Sequence, residues 1–341
     1  MAFTGRIHAG AVGALIAATL TVLASFAASA QTPLVMKLGS GTLNDSIHEW
    51  MKLFAAEIDK TAGGRIKVEI YPASQLGSNA RMVEQTQLGT IQGYVGAPEF
   101  MVGVDTRYQL LSAPGIFKDF DHVNRVLRDP EFEKAFLGLG ADKGLKGIAL
   151  MISGSATFSS REPIRKLSDF EGRKVRVFAG RLQLAQMTKL KASPVPMALG
   201  EALPALQSGA LDAVLGGIPV LTRLRYFGPG KYLLETNHSL IAAITVINKA
   251  WFDRLPADLQ AIVLQAASKA SDGVFRFSVD DVDTARADWI KNGGEVIKLP
   301  AAEQDKLMSE LREVGTEELT KTPRDKEMYE LLLAVANRTA K

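Results

Sequence analysis

Cysteine is absent from this chain of 341 residues, and histidine occurs only four times. Without a thiol, the protein can form no disulfide, iron–sulfur cluster, thiolate zinc site or cysteine nucleophile. One histidine lies in the N-terminal segment, and His48, His122 and His238 occur singly, far apart in the sequence. We therefore expect no metal site and no cofactor.

Excess charge is also lacking. The 40 basic and 37 acidic residues give a formal net charge of +3, too small a surplus for the basic surface of a nucleic-acid-binding protein. The segment after residue 30 contains no Gly-x-Ser-x-Gly sequence of the kind that carries a nucleophilic serine. These absences argue against nucleic acid as a partner and give no support to catalysis.

The N-terminus has the pattern of an export signal. Arg6 is followed by an uncharged apolar stretch from Ala9 to Ala27, and Ala28-Ser29-Ala30 precedes Gln31. A basic start, an apolar segment and small residues at the cleavage position are typical of a secretory signal peptide. A membrane anchor is the alternative, since about 20 apolar residues can span a bilayer. We expect cleavage of residues 1–30 and a periplasmic product.

Short apolar runs alternate with segments of helical periodicity, which predicts an α/β fold. The expected helices are Ile47–Ile58 and Ala80–Leu88. The expected strands are Val35–Leu38, Arg65–Tyr71, Ile91–Val95, Ile148–Ile152, Val175–Phe178 and Ala213–Leu215. Because the pattern starts again after Gly147, two similar α/β units are predicted.

One helix is expected to be unusually long. Residues 257–292 contain no proline, and their apolar residues recur at helical spacing. A continuous helix of this length extends about 54 Å and can cross from one domain to the other. Gly273 lowers its stability by up to about 1 kcal/mol. Two shorter helices broken at Ser271-Asp272-Gly273 are the alternative.

Arg176 is the strongest candidate for a functional residue. It lies between Val175 and Val177 in a predicted strand whose alternate residues are apolar. A guanidinium there keeps its charge and needs a partner, and its planar fork fits a carboxylate. An anionic ligand can supply that partner. An internal acidic residue, or exposure to solvent beside Lys174, explains the position equally well.

Several motifs, in order along nearly the whole mature chain, resemble the solute-binding proteins of tripartite ATP-independent periplasmic (TRAP) transporters, of the dicarboxylate-binding type. The motifs are Gly64–Pro72, Gln75–Gly77, Pro114–Phe117, Gly172–Val177, Ala192–Met197, Ala205–Gly209, Thr236–Ser239 and Asn248–Pro256. The resemblance implies a periplasmic-binding-protein-like fold, with two α/β domains around a ligand cleft and a long helix bracing both. The implied domains are 31–153 plus 242–281, and 154–241 plus 282–341.

The resemblance also implies ligand-binding residues. Arg176 matches the carboxylate-binding arginine of the family. Backbone groups of the other domain are expected to complete the site: Gly39, Ser40, Gly41, Ala97 and Glu99.

The sequence departs from the family around Arg176. Ala156, Leu199 and Gly216 stand where many relatives have an arginine, an aromatic residue and an asparagine. Arg181 is either a second cation of the site or a surface residue at a helix start. Because these differences remove polar groups and side-chain volume, we expect a moderately apolar monocarboxylate rather than a C4 dicarboxylate or sialic acid.

Two functions remain open at this stage. The first is a non-catalytic periplasmic receptor that captures a small organic acid and delivers it to the membrane permease subunits of a TRAP transporter. The alternative is an exported enzyme that acts on a carboxylated small molecule in the same cleft. The absence of catalytic motifs favours the receptor.

Overall fold

The computed structural model describes residues 1, 2 and 32–340. The predicted leader and its cleavage position therefore lie almost entirely outside the described residues. Within the described part of the chain, no helix combines the length and the apolar character needed to cross a bilayer.

Nine strands and eleven α-helices make up the described fold. The strands are β1 (Leu34–Ser40), β2 (Ile66–Tyr71), β3 (Gly93–Gly96), β4 (Leu145–Ser160), β5 (Lys174–Val177), β6 (Ser193–Pro196), β7 (Ala213–Gly216), β8 (Tyr232–Asn248) and β9 (Glu295–Ile297). The helices are α1 (Ser46–Thr61), α2 (Asn79–Leu88), α3 (Phe120–Leu127), α4 (Pro130–Leu137), α5 (Arg181–Lys189), α6 (Leu199–Ser208), α7 (Ile218–Arg223), α8 (Lys249–Asp253), α9 (Ala257–Lys291), α10 (Ala301–Leu319) and α11 (Pro323–Arg338).

The strands form one sheet in the order β2-β1-β3-β8-β4-β7-β5-β6, and β9 pairs with β8. We call β2, β1 and β3 the first half of the sheet, and β7, β5 and β6 the second half. Within each half the strands run parallel. The long antiparallel strands β4 and β8 connect the halves, and their register shifts between Ile152 and Gly154, opposite Ala242 and Ile241.

Helices cover both faces of both halves and enclose four hydrophobic clusters. In the first half, α1 and the start of α9 cover one face, and α2, α3, α4 and α11 cover the other. In the second half, α5 and α10 cover one face, and α6, α7 and the end of α9 cover the other. Each half is thus a three-layer α/β unit, which confirms the predicted fold class.

Helix α9 is continuous over 35 residues and passes through Gly273 without a break, so the alternative of two shorter helices is wrong. Val263 and Val274 lie in a cluster of the first half, and Trp289 lies in a cluster of the second. One hydrogen bond, from Trp50 Nε1 to Ser271 Oγ at 2.9 Å, ties α1 to the middle of α9. The helix therefore braces both halves, as predicted.

The division into two domains remains a proposal. We place its boundaries at residues 153/154 and 241/242, at the middle one of the three register shifts between the two long strands. The C-terminal helix α11 packs with the first half, because Leu332 and Val335 share a cluster with Val123 and Phe136. We therefore count α11 with the first domain, whereas the sequence assigned it to the second.

Candidate ligand-binding site

Strand β5 buries Arg176 in the second half of the sheet. Side chains alternate across a strand, so Val175 and Val177 enter the cluster beneath α5 and α10, and Arg176 projects from the opposite face. Its backbone pairs with Val195 on one side and Val214 on the other. The residue is 0% exposed.

Backbone carbonyls hold two of the three guanidinium nitrogens of Arg176. Its Nε donates to the carbonyl oxygen of Met197 at 2.9 Å, and its Nη1 donates to that of Leu215 at 2.9 Å. Nη2 is buried and has no hydrogen-bond partner among the described residues. The guanidinium carbon lies 4.7 Å from the centre of the Phe178 ring, within the range of a cation–π contact.

The charge of Arg176 is not balanced by any acidic side chain of the described residues at ion-pair distance. Burial lowers the pKa of Arg176 to about 10, so the group remains cationic at neutral pH. A buried cation without a partner is costly. The site is therefore electrostatically incomplete and fits an anion.

A cavity of about 40 Å³ adjoins this arginine, and residues from both halves of the sheet line it. The lining residues are Gly41, Thr42, Ile47, Asn79, Gly96, Ala97, Phe100, Ser153, Arg176, Phe178, Leu199, Gly216, Gly217, Val220, Ile241 and Ala242. This space holds about one water molecule and is smaller than the usual small-molecule pocket of about 300–1,000 Å³. A larger ligand can enter only if the two halves separate.

Five of the ten residues predicted for the site line this cavity: Arg176, Gly41, Ala97, Leu199 and Gly216. Gly41 packs closely against Asn79, since a Cβ atom at this position would lie 2.5 Å from Asn79 Oδ1 and would displace that side chain. Gly39 and Ser40 precede it in β1 but do not line the cavity; the Ser40 hydroxyl donates to the carbonyl oxygen of Thr42.

The other three predicted residues also lie away from the cavity. Ala156 is buried beside Phe158 in the cluster under α5 and α10, so its difference from the family does not alter the cavity wall. The Arg181 side chain is 45% exposed and pairs with Asp325, which leaves it on the surface. Glu99 is buried, and its Oε1 accepts a hydrogen bond from the Ser112 hydroxyl.

Sequence reasoning missed the two aromatic rings of the cavity, Phe100 and Phe178. Their ring centres are 5.4 Å apart, and the rings are tilted by 54°. Phe178 follows Arg176 by two residues in the same run, so it was available as a candidate. Nothing local in the sequence identifies Phe100, because its contact with Phe178 joins distant segments.

A larger cavity of about 340 Å³ lies elsewhere, lined among others by Phe117, Phe120, His238 and Arg286. Its arginine already has partners, because Arg286 Nε donates to Glu235 Oε1 at 2.7 Å and Nη1 pairs with Asp283. Burial lowers the pKa of His238 to about 4, so this imidazole is neutral at pH 7. Lys118 also lines this cavity, beside Asp119, and its Nζ donates to the carbonyl oxygen of Ala340 at 2.7 Å. The larger cavity therefore lacks a buried guanidinium with an unpartnered nitrogen of the kind that Arg176 provides.

Comparisons with known proteins agree with this architecture. Residues 40–321 match the family described as bacterial extracellular solute-binding protein, family 7. The chain is 27% identical to the 2,3-diketo-L-gulonate-binding periplasmic protein of Escherichia coli, covering 87% of this chain and 84% of the relative. It is 29% identical to the C4-dicarboxylate-binding periplasmic protein of Rhodobacter capsulatus, covering 76% of this chain and 79% of the relative.

A solved structure is also similar: a TRAP periplasmic solute-binding protein of Xanthobacter autotrophicus with bound β-D-galacturonate, with a TM-score of 0.82 and 25% identity, over 88% of this chain and 99% of that one. This chain belongs to the bacterial extracellular solute-binding protein family 7. It is a periplasmic binding protein of the TRAP type, which confirms the resemblance in the sequence. The family consists of transport receptors, so the alternative of an exported enzyme is wrong.

Proposed function

We propose that this protein captures a small, moderately apolar monocarboxylate through Arg176 and delivers it to the membrane permease of a TRAP transporter. The observation that carries the proposal is the buried guanidinium with an unpartnered Nη2 at a cavity lined by both halves. The relatives' names point to acids as ligands: a diketogulonate, C4 dicarboxylates and a galacturonate.

The free donors of Arg176 suit one carboxylate. A guanidinium has five N–H groups, and here Nε and Nη1 each donate one to a backbone carbonyl. The two N–H groups of Nη2 and the second one of Nη1 remain. A carboxylate can accept from Nη1 and Nη2 in parallel, the arrangement that makes such pairs strong.

The rest of the cavity favours an apolar ligand body. Phe100, Phe178, Leu199, Val220 and Ile241 supply apolar walls. Each Å² of apolar ligand surface that they cover contributes roughly 25 cal/mol. A ligand with many hydroxyls loses about 1 to 3 kcal/mol for each group left without a partner.

Few polar side chains oppose these walls: apart from Arg176, the cavity is lined by the polar side chains of Thr42, Asn79 and Ser153. Thr42 already donates to Asp45 Oδ1 at 3.0 Å. Gly216 offers no side chain, and a Cβ atom there would lie 3.1 Å from Leu221. A second carboxylate would therefore meet no second cation, which supports a monocarboxylate.

A thermal-shift screen of organic acids tests the ligand class. The panel contains phenylacetate and 4-methyl-2-oxopentanoate against succinate, malate, galacturonate and sialic acid, with phenylacetamide as the uncharged control. We expect the first two acids to raise the melting temperature and phenylacetamide to have no effect. If only succinate, malate or a sugar acid raises the melting temperature, the proposal of an apolar monocarboxylate as ligand is contradicted.

Calorimetric titration of arginine variants tests the role of Arg176. Arg176→Ala should weaken binding by about 2 to 5 kcal/mol, the usual cost of removing one partner of a buried charge pair, which is roughly 30-fold to several thousandfold. Arg176→Lys should also bind weakly, because an ammonium lacks the planar fork. A loss below threefold in Arg176→Ala would reject the assignment.

Arg173 provides a matched control, since it is a nearby arginine whose Nε, Nη1 and Nη2 all donate to backbone carbonyls away from the cavity. Arg173→Ala should leave the affinity unchanged within about twofold. Delivery to the permease is tested by reconstitution: uptake of the acid into proteoliposomes that carry the permease should require this protein. Equal uptake without it would contradict the receptor role.

A further inference from the structure

Phe178 touches both the anion-binding arginine and the opposite half of the protein. One contact of its ring is with the guanidinium of Arg176, at 4.7 Å from the ring centre. Another is with Phe100, whose ring centre is 5.4 Å away. Phe178 directly follows β5 in the second half, whereas Phe100 lies four residues after the end of β3 in the first. A single side chain therefore connects Arg176 to the contact between the halves.

The backbone of Phe178 is fixed by a hydrogen-bonded series that crosses between the halves. Its N–H donates to Gln183 Oε1 at 2.9 Å, and Gln183 Nε2 donates to Ser112 Oγ at 3.5 Å. The Ser112 hydroxyl in turn donates to Glu99 Oε1. Gln183 is in α5 of the second half, and Ser112 and Glu99 belong to the first.

A second contact between the halves lies one residue away along α5. The Leu182 N–H donates to Gln109 Oε1 at 3.0 Å. This N–H belongs to the first turn of the helix, where backbone donors have no partner within the helix. The approach is close, because a Cβ atom on Gly180 would lie 3.5 Å from the Cβ of Gln109. The start of α5 is thus docked against the first half.

We propose that Phe178 is a positioning residue that couples the orientation of Arg176 to the closure of the two halves; this inference rests on the proposed role of Arg176. When the halves separate, Phe178 loses its contact with Phe100, and α5 loses its hydrogen bonds to Gln109 and Ser112. The ring that covers one face of the guanidinium then loses its support. The carbonyls of Met197 and Leu215 belong to the same half as Arg176 and remain, but the guanidinium is fully fixed only while the halves are together.

This coupling has a consequence for binding. In the closed arrangement the guanidinium is fixed by two carbonyls and by the Phe178 ring, so little side-chain freedom remains to be lost when a carboxylate binds. In the open arrangement the ring is free to move. A ligand therefore gains its full ion pair only with closure, and binding and closure favour each other.

Nuclear magnetic resonance of ¹⁵N-arginine-labelled protein tests the positioning without any ligand. The Nε–H resonance of Arg176 is identified as the one lost in Arg176→Lys. In the native protein we expect it to be displaced by the ring current of Phe178. Phe178→Leu should remove that displacement and broaden the signal. Phe178→Tyr, which keeps the ring face, should retain the displaced chemical shift of the native protein.

A matched control separates positioning from a general loss of an aromatic residue. Phe170 is also fully buried in the second half, where it packs against Phe158 and does not line the cavity. Phe170→Leu should leave the Arg176 resonance in place. An unchanged Arg176 resonance in Phe178→Leu, or an equal change in Phe170→Leu, would overturn the proposal.

Closure is measured in the same variants by the distance between spin labels. The chain has no cysteine, so Leu88→Cys and Ser208→Cys, at exposed positions in the two halves, provide unique labelling sites. Phe178→Leu and Phe100→Leu should both lengthen and broaden the distance distribution, and Phe170→Leu should not. Identical distributions in all variants would refute the coupling.

If Phe178→Leu does not fold, Gln183→Leu replaces it, because this change removes the acceptor of the Phe178 N–H and keeps the ring. A change in the chemical shift of the Arg176 Nε–H resonance, with broadening of its line, supports the proposal. An unchanged chemical shift and line width reject it. Both measurements use unliganded protein. If no carboxylate binds, the proposed function is contradicted, but these two measurements can still be carried out and interpreted.

Discussion

Glu99 should make the stability of this protein fall as the pH rises. The side chain is fully buried beside the contact between the halves. Its Oε1 accepts from Ser112, and its Oε2 has no partner among the described residues. Burial raises the pKa of Glu99 from 4.5 to about 7. The folded state thus keeps a proton that the unfolded chain releases at lower pH.

The size of this effect follows from the shift in pKa. The difference of about 2.5 units, from 4.5 to about 7, corresponds to about 3 kcal/mol at 1.36 kcal/mol per unit. Because the folded state binds more protons than the unfolded state, the free energy of unfolding decreases with rising pH. The contribution is present below about pH 4.5 and is lost as the pH rises through about 7.

Glu99→Gln removes the titration and keeps an oxygen that accepts from Ser112. The free energy of unfolding is measured by urea denaturation at pH 4.5 and at pH 8. At pH 4.5 the variant and the native protein should be nearly equally stable. At pH 8 the variant should be more stable by about 3 kcal/mol. The exposed Glu317→Gln should follow the native protein at both values. Equal pH dependence in Glu99→Gln and the native protein would refute this reasoning.

Three further predictions concern the brace and the leader. Trp50→Phe removes the hydrogen bond to Ser271 and should lower the free energy of unfolding, measured by urea denaturation, by about 1 kcal/mol or more. An unchanged free energy of unfolding would mean that this bond does not secure α9. Gly273→Ala should raise the free energy of unfolding by up to about 1 kcal/mol, since a Cβ atom there meets only the flexible end of Leu53 at 3.3 Å. A clear loss of stability would show that this contact cannot relax. Intact-mass analysis of the exported protein should find a soluble chain that starts near Gln31, and a membrane-bound product that retains residues 1–30 would contradict cleavage.

The sequence predicts best those elements whose periodicity is local. The helix at Ser46–Thr61 and the strand at Ile66–Tyr71 agree closely with the expected segments, because apolar spacing alone defines them. The continuous α9 also follows from spacing and from the absence of proline. In each case the signal lies within one segment of the chain.

The two long strands show where local signals are insufficient. Only Ile148–Ile152 was expected within β4, and β8 was not predicted, although they contain 16 and 17 residues. Both are buried almost throughout, so they lack the alternation that identifies a half-exposed strand. Their length follows from their mutual pairing across both halves, which is a tertiary feature.

The site divides in the same way. Arg176 could be recognised because a charged residue interrupts an apolar strand. Phe100, Asn79 and Ile241 could not, because they reach the cavity only when the two halves meet. Ala156 illustrates the opposite error: its motif position suggested the cleft, but it faces the cluster on the other side of the sheet.

The most direct test of the central claim is a crystal structure of the protein with the acid that gives the largest thermal shift. We expect one ligand between the halves, with its carboxylate oxygens about 2.7 to 2.9 Å from Nη1 and Nη2 of Arg176. Its carbon skeleton should contact Phe178 and Leu199. A carboxylate bound in the larger cavity beside Arg286, with Nη2 of Arg176 still unpartnered, would contradict the account.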